Sequence, residues 1–441
     1  MSIIIGISEG FHDAAICLLN GTEIAHASHS ERYSRLKGDR WLHPQQKKFL
    51  SLPNTDIAYY EKPFRKNLRR LFAGQKWQST DTSYTVSFPH HKSHAAAVYY
   101  TAPFDDCNIL VIDAIGEWDT ISIWDNMRKI KSWKYPYSLG LLYSAITQRI
   151  GLKPNEDEYI TMGMAAFGEP VYALTEFLYR NNHRGIIDVW KNAKPEDLAA
   201  SVQYLYEREL LKLVDQCPKK NLVIMGGCAL NCSANSKIQG KNIWIMPSPG
   251  DSGSSLGAAA LVHKKKLNWK HPYLGYRIQG RVNPKQVVKE LLKNKICGIA
   301  HGRAEFGPRA LGNRSLLGDP RYDIKDTVNT IKKRQKFRPF APAILEEYAK
   351  EYFRGPMNRY MQFVAKAKHD YKSVTHVDKT ARVQLVEKDN VSVLRPILEE
   401  WYEKTGVPML LNTSLNIKGE PMVNDKKDAK NFMEKYNVRV F

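Results

Sequence analysis

The chain has little cysteine, few acidic residues for its length and no long apolar run. Its six cysteines, Cys17, Cys107, Cys217, Cys228, Cys232 and Cys297, form no CxxC pair. That argues against a disulfide scaffold or a cysteine-held zinc module, and for a reducing, cytoplasmic setting. No stretch approaches the roughly 18 apolar residues of a membrane span, so no membrane partner is expected. Residues 1–10 have no basic leader and carry Glu9, so no secretory signal is expected either. The shortage of acid is the most informative of these. Against 66 lysines and arginines stand 45 aspartates and glutamates, a formal net charge of +21. Residues 271–441 hold 33 basic and 19 acidic residues, a net +14, and residues 1–270 hold 33 and 26, a net +7. Such a surplus attracts polyanions, chiefly nucleic acid, and also suits sites for nucleotide phosphates. The cluster Arg65, Lys66, Arg69 and Arg70 suits nucleic acid; the cluster from Lys332 to Arg338 suits phosphate.

What is present is an ordinary globular composition, 43% apolar and 25% charged over 441 residues, enough for two or three domains. Residues 3–8, 14–19 and 22–28 read as three strands, the last two joined by the hairpin signal Asn20-Gly21. The pattern recurs at 108–113, 120–124 and 129–134. Two such βββ units, each followed by helices, predict an α/β chain with a duplicated actin-like nucleotide-binding fold. Residues 138–217 read mostly helical. A short strand at 221–225 runs into Gly226, Gly227 and, four residues on, Asn231, where paired glycines let a nucleotide approach the backbone without a Cβ clash. A domain boundary is expected within 262–284.

His90 and His94 are four apart behind Pro89, so both imidazoles leave one face of a helix at its start. Asp113 ends the apolar run Ile109-Leu110-Val111-Ile112, and Asp251 sits in the Gly/Pro turn 247–253. Spacing alone does not unite the four. Together, two imidazole nitrogens and carboxylate oxygens would suit iron, zinc or manganese better than calcium or magnesium. A mononuclear metal in such a place usually does chemistry and leaves room for substrate. Farther along, Arg309, Arg314, Arg321, Arg338 and Arg382 lie among glycines, prolines and small polar residues, a setting for forked binding of phosphate or carboxylate.

The chain resembles the O-carbamoyltransferases that act on nodulation factors, cephamycin-type antibiotics and tobramycin. The likeness is carried by GISEGFHDAA (6–15), SERYSRLKG (30–38), HHKSHAAA (90–97), VIDAIGE (111–117), MGMAAFG (162–168), GGCALN (226–231), GDSGSSLGAA (250–259), GRAEFGPRALGNRSLLGDPR (302–321), RPFAP (338–342) and LNTSLNIKGEP (411–421). It implies an actin-like (ASKHA) metal-binding domain over 1–265 and an α+β YrdC-like domain over 275–441. It implies two steps: carbamoyl phosphate and ATP, with magnesium, form carbamoyl-adenylate and pyrophosphate, and the carbamoyl group then passes to an acceptor hydroxyl, releasing AMP. By the same likeness His90, His94, Asp113 and Asp251 hold iron(II) or another divalent transition metal. His12 serves as the acceptor's general base, with Lys37 at a basic position beside it. Arg309, Arg314, Lys332, Arg338, Arg382 and Ser414 line the adenylate-forming site, and Gly226, Gly227 and Asn231 the nucleotide loop. A homodimer is also implied.

The chain departs from the family at Ile160, where a lysine is usual, at Gln335, where a glutamate is common, and at Lys418, where an arginine is common. It is also shorter than most members between about 170 and 220, on the acceptor side. The expected acceptor is a hydroxyl on a 5-hydroxymethylpyrimidine such as 5-hydroxymethylcytosine, in DNA or RNA, with Arg65, Lys66, Arg69 and Arg70 docking the strand. A sugar, aminoglycoside or other small natural product is the alternative, and a non-catalytic nucleotide-binding protein the third reading.

Overall fold

The computed structural model describes residues 3–179 and 186–441. The chain folds as two units, one of Met1–Ser30 with Arg40–Trp269, the other of Glu31–Asp39 with Lys270–Phe441. No compositional signal marks the excursion of Glu31–Asp39 into the second unit.

The first unit is built twice over. Its first sheet contains β1 (Ile3–Ser8), β2 (Ala15–Asn20), β3 (Glu23–His29), β4 (Thr55–Tyr59) and, after helix α1 (Pro63–Phe72), β5 (Val86–Ser87). Helix α2 (His90–Thr101) follows. The second sheet contains β6 (Asn108–Ile112), β7 (Asp119–Asp125), β8 (Arg128–Lys134) and, after helices α3 (Leu139–Arg149) and α4 (Pro195–Asp215), β9 (Asn221–Met225) and β10 (Asn242–Ile245). Helix α5 (Asp251–His263) closes the unit. The strand orders are β3-β2-β1-β4-β5 and β8-β7-β6-β9-β10. In both, three antiparallel strands are extended by two parallel ones. This is the duplication that the two βββ patterns predicted. The hairpins turn where Gly21 and Asn126 adopt positive φ, +58° and +49°.

Helix α5 packs on β1, β2 and β4, helix α2 packs on β6 and β9, and the two helices pack on each other. Their contact needs small residues. A Cβ on Gly257 would fall 1.8 Å from the Ser93 carbonyl oxygen. Ala95, Ala96 and Ala97 on one helix and Ala258, Ala259 and Ala260 on the other are fully buried. Asp251, expected in a turn, is instead the first residue of α5.

The second unit centres on a mixed sheet in the order β12-β14-β20-β15-β19. The strands in chain order are β11 (Tyr273–Ile278), β12 (Ile296–Ala300), β13 (Gly302–Glu305), β14 (Arg314–Gly318), β15 (Ala341–Leu345), β16 (Phe353–Arg354), β17 (Ala365–Ala367), β18 (Thr380–Ala381), β19 (Gln384–Val386) and β20 (Met409–Ser414). Helices α6 (Pro284–Asn294), α7 (Lys325–Ile331), α8 (Leu394–Thr405) and α9 (Lys426–Tyr436) accompany them. Leu291, Leu394, Ile397, Leu398 and Trp401 form one apolar core and Leu316, Leu411, Leu415 and Phe432 another. Among the described residues no helix is long and apolar enough to cross a membrane.

Candidate metal centre

Four distant residues converge inside the first unit. His90 and His94 come from the first two turns of α2, Asp113 from just beyond β6, and Asp251 from the start of α5. One ligand atom from each lies within 4.8 Å of the others, and all four residues are buried. His90 Nε2 is 3.0 Å from Asp113 Oδ2 and 3.4 Å from Asp251 Oδ1; His94 Nε2 is 3.6 and 3.3 Å from the same two oxygens. The two Nε2 atoms are themselves 3.0 Å apart.

Local chemistry fixes each donor. Pro89 caps α2 in an extended conformation, and Glu117 accepts the backbone N–H groups of His90 (3.1 Å) and Lys62 (2.7 Å). Behind His94, Nδ1 meets Ser254 Oγ at 2.9 Å. Gly226 has φ +98°, and a Cβ there would lie 2.1 Å from the Ile112 carbonyl oxygen. That close approach lets the Gly227 N–H donate to Asp113 Oδ1 at 3.3 Å.

Burial alone would neutralise these groups. Against it, the charge of Asp251, the hydrogen bond to Asp113 and the nearby Glu61 carboxylate hold the His90 imidazole well above its usual range. The imidazoles in turn hold Asp113 and Asp251 below the usual carboxylate range. A proton on one ring nitrogen cannot bridge another ring nitrogen and two carboxylates at once. A metal cation can, so the donor set fits a divalent transition metal.

His12 Nδ1 lies 2.9 Å from Asp13 Oδ2, and Asp13 takes a positive φ of +54°. Burial opposes protonation of His12, but the Asp13 hydrogen bond and charge, with the fields of Asp251 and Asp113, push its pKa up to about 9. Lys37 belongs to the second unit, its Nζ 2.7 Å from Glu31 Oε2. The residues expected to form a nucleotide loop are tied into the first unit. The Gly226 N–H donates to the Pro249 carbonyl (2.8 Å), the Gly227 N–H to Asp113, and the Asn231 amide pairs with Gln203 and caps Ala234. These donors are occupied within the protein, and the glycine pair serves the aspartate.

The basic cluster of α1 is corrected in part. Lys66 is buried and its Nζ sits 2.5 Å from Glu61 Oε1, so it offers nothing to a strand. Helix α1 is turned inside out: Lys66 and Asn67 are buried, while Phe64, Leu68, Leu71 and Phe72 are exposed. Arg65 is exposed, Arg69 and Arg70 are half-buried, and Arg70 Nε donates to the Lys76 carbonyl. Sequence reasoning missed Glu61, Asp13 and Ser254, which stand behind the expected site residues; no spacing links Glu61 to His90.

In the second unit Lys332 is buried. Its Nζ donates to the Ser414 carbonyl (2.5 Å) and to the carbonyl and Oδ1 of Asn416 (2.8 and 3.1 Å). Burial, and then the charges of Arg334 and Arg338, hold its pKa well below the ordinary lysine value. Arg382 is half-buried, and its Nε has no hydrogen-bond partner. Arg309 is half-buried in the same unit. Arg314 is the exception. Its guanidinium is buried and donates to the carbonyls of Tyr276, His301, Gly302, Asn313 and Asn424, so it ties loops together rather than facing a phosphate.

Family models match both parts of the chain: "Carbamoyltransferase C-terminus" over residues 288–441, and "Carbamoyltransferase N-terminus" over 43–188 and 181–260. The chain belongs to the carbamoyltransferase family. It is 30% identical to an uncharacterized protein of Synechocystis sp., over 97% of this chain and 94% of that one. It is likewise 30% identical to an uncharacterized protein of Methanocaldococcus jannaschii, over 97% and 96%. To the nodulation protein NolNO of Sinorhizobium fredii it is 30% identical, over 95% and 76%. The first alignment runs to 575 positions against 441 residues here, so this carbamoyltransferase lacks segments its relative carries. The N-terminal match comes in two pieces that meet at 181–188, within the stretch expected to be shortened.

Proposed function

We propose that this carbamoyltransferase is an ATP-dependent O-carbamoyltransferase whose two units divide the reaction. Carbamoyl phosphate, water and ATP give carbamoyl-adenylate, phosphate and pyrophosphate; attack by an acceptor hydroxyl then gives the carbamate ester and AMP. The observation that carries this reading is the convergence of His90, His94, Asp113 and Asp251 on one buried point. A divalent metal there, iron(II) in the expected reading, supplies Lewis acidity toward a carbonyl or phosphoryl oxygen. His12, oriented by Asp13, takes the proton of the acceptor hydroxyl. In the second unit Arg338 and Arg382, with Arg309 and Ser414, face the negative charge of magnesium-bound ATP and of carbamoyl phosphate, and buried Lys332 holds Ser414 in place and adds its charge from behind. The basic character of that YrdC-like unit suits clustered phosphates, which otherwise repel one another.

The acceptor is a hydroxyl on a nucleic-acid base, 5-hydroxymethylcytosine in DNA being the reading we favour. Its support is a surface continuous in chemistry with His12. Residues 62–80 carry six cations and no acid. Exposed Phe64 packs edge-on to exposed Trp77 at 6.0 Å, and exposed Phe11 lies 4.4 Å from the His12 ring. Aromatic platforms interleaved with arginines suit an unpaired strand, and a base must leave its stack to reach a buried centre.

The test supplies the protein with iron(II), ATP and carbamoyl phosphate, and offers single-stranded and duplex DNA containing 5-hydroxymethylcytosine beside a panel of sugars and aminoglycosides. Mass spectrometry of digested nucleosides should show one carbamoyl group in place of a hydrogen, with the single strand favoured. A gain confined to the small molecules would overturn the nucleic-acid reading and keep the chemistry.

A further inference from the structure

Behind the metal-binding cluster lies an ion pair that the reaction above does not use. Glu61 lies two residues beyond the end of β4, and its side chain is 3% exposed. Lys66, in the first turns of α1, is 10% exposed at its side chain, and its Nζ contacts Glu61 Oε1 at 2.5 Å. The other carboxylate oxygen, Oε2, points at His90 Nδ1 from 3.6 Å. That Nδ1 is buried and has no hydrogen-bond partner. Glu117 reaches only the backbone N–H of His90.

Burying two charges costs desolvation, and an apolar pair of similar volume often serves a fold as well. Stability is therefore a weak reason for Glu61 and Lys66. Their geometry supplies a better one. Both metal-facing imidazoles turn Nε2 inward and Nδ1 toward an oxygen: Ser254 Oγ behind His94, Glu61 Oε2 behind His90. A carboxylate in that place fixes the tautomer and rotation of a ligating histidine and makes it a stronger donor. Charge explains the lysine. Two aspartates balance a divalent ion, so a third carboxylate at the centre would leave a net negative charge; Lys66 cancels it.

We propose that Glu61, neutralised by Lys66, is the positioning residue that orients His90 as a metal ligand. This rests on the metal reading of the cluster and adds to it a residue no motif indicated. Glu61 touches no substrate; it acts through His90. The same helix that exposes Phe64, Leu68 and Phe72 thus carries on its buried face the counter-ion of the metal site.

The test measures cobalt(II) binding to the full chain by competition with a chelator, and records the visible spectrum of the bound ion. Glu61→Gln should weaken affinity about 10–100-fold, the range found when the residue behind a ligating histidine is removed. Because that change strands Lys66, the double variant E61Q/K66M is made as well: a neutral pair of matching size. Its Tm should return close to that of the unaltered protein, while its cobalt affinity stays at least about 10-fold down and its spectrum stays altered. Cobalt affinity and spectrum equal to the unaltered protein in E61Q/K66M would overturn the proposal and leave the pair as an anchor for α1. If the unaltered protein and His94→Ala bound cobalt equally, the cluster itself would not be the site. That result is distinct, because it appears before any change at Glu61.

Discussion

Both units bury charge that their own side chains leave unbalanced, but in opposite senses. Around the centre of the first unit, Asp113, Asp251 and Glu61 face one lysine and two histidines, and the imbalance shows as a His90 imidazole held well above its usual range. Around Lys332 in the second unit, Arg334 and Arg338 add positive charge, and the imbalance shows as a lysine driven toward its neutral form. A site short of positive charge calls for a metal; a site short of negative charge calls for phosphate. On the function proposed above, polyphosphate chemistry and hydroxyl chemistry would use different ends of the chain.

Deleting one pole of each site should break the two steps separately. Asp251→Ala should remove metal binding and cut carbamoyl transfer by more than about 100-fold, beyond the usual effect of losing an outer residue. Pyrophosphate release dependent on carbamoyl phosphate should persist. Arg338→Ala should do the reverse, lowering pyrophosphate release about 100–1000-fold, as loss of a charge-stabilising donor does. A pyrophosphate assay and a transfer assay on both variants decide it. Failure of both variants at one step would mean the opposite charges do not mark separate chemistry.

His12 sharpens the first half of the contrast. Its pKa of about 9 is above the ordinary histidine value of about 6.5. The metal-free imidazole is therefore charged at neutral pH and becomes a base only as pH passes through about 9. The raising groups include Asp251 and Asp113. A divalent ion on those carboxylates should therefore lower the His12 pKa, and Asp13→Asn should lower it further. Titration of the His12 ring by NMR, with and without zinc(II), reads this directly; an unchanged pKa would separate His12 from the centre. His12→Ala should reduce transfer about 100- to 10,000-fold, the span of a lost general base.

Lys332 provides the mirror experiment. Its folded pKa lies below the ordinary lysine value, so the unfolded chain binds the extra proton, and stability rises with pH until the ordinary lysine range is reached. A bound polyphosphate raises the pKa again, so binding should take up a proton from solution. Calorimetry with ATP in two buffers of different ionisation enthalpy should show that uptake, and Lys332→Met should abolish it. Equal heats in both buffers, with no uptake, would remove Lys332 from the anion site.

The strands and the pairing of His90 with His94 on one helix face were legible because they rest on local rules. Asn20-Gly21 marks its hairpin by turn chemistry, and Pro89 before His90 and His94 marks a helix start with two imidazoles on one face. Asp251 was misplaced because Gly250, Ser252 and Gly253 look like a turn; the close approach of α5 to its neighbours requires small residues and overrides their low helix propensity. Arg314 looked like a free fork in a glycine-rich loop, yet five carbonyls claim it. Lys66 looked like one more surface cation. Both errors have one cause: partners distant in sequence decide whether a charge faces water, and a run of basic residues does not say which side of its helix is buried.

The smallest expected effect concerns the outer face of α1, where the sign of charge is that of the second unit but the setting is solvent. Cations in water are worth little each, and they act mainly through counter-ion release. Arg65→Gln should therefore weaken single-stranded DNA binding only a few-fold at physiological salt, and reduce the slope of log affinity against log salt by about 0.7. Trp77→Ala should behave differently. Losing a stacking platform costs about 1–3 kcal/mol per base and leaves the salt slope alone. Fluorescence titrations at three salt concentrations separate the two. Were Trp77→Ala silent and Arg65→Gln effective, the strand would touch only the arginines, and the exposed Phe64, Leu68 and Phe72 would face something other than bases. A silent Arg65→Gln and Trp77→Ala together would return the surplus of positive charge to the phosphates of the second unit, leaving the first unit with the metal alone.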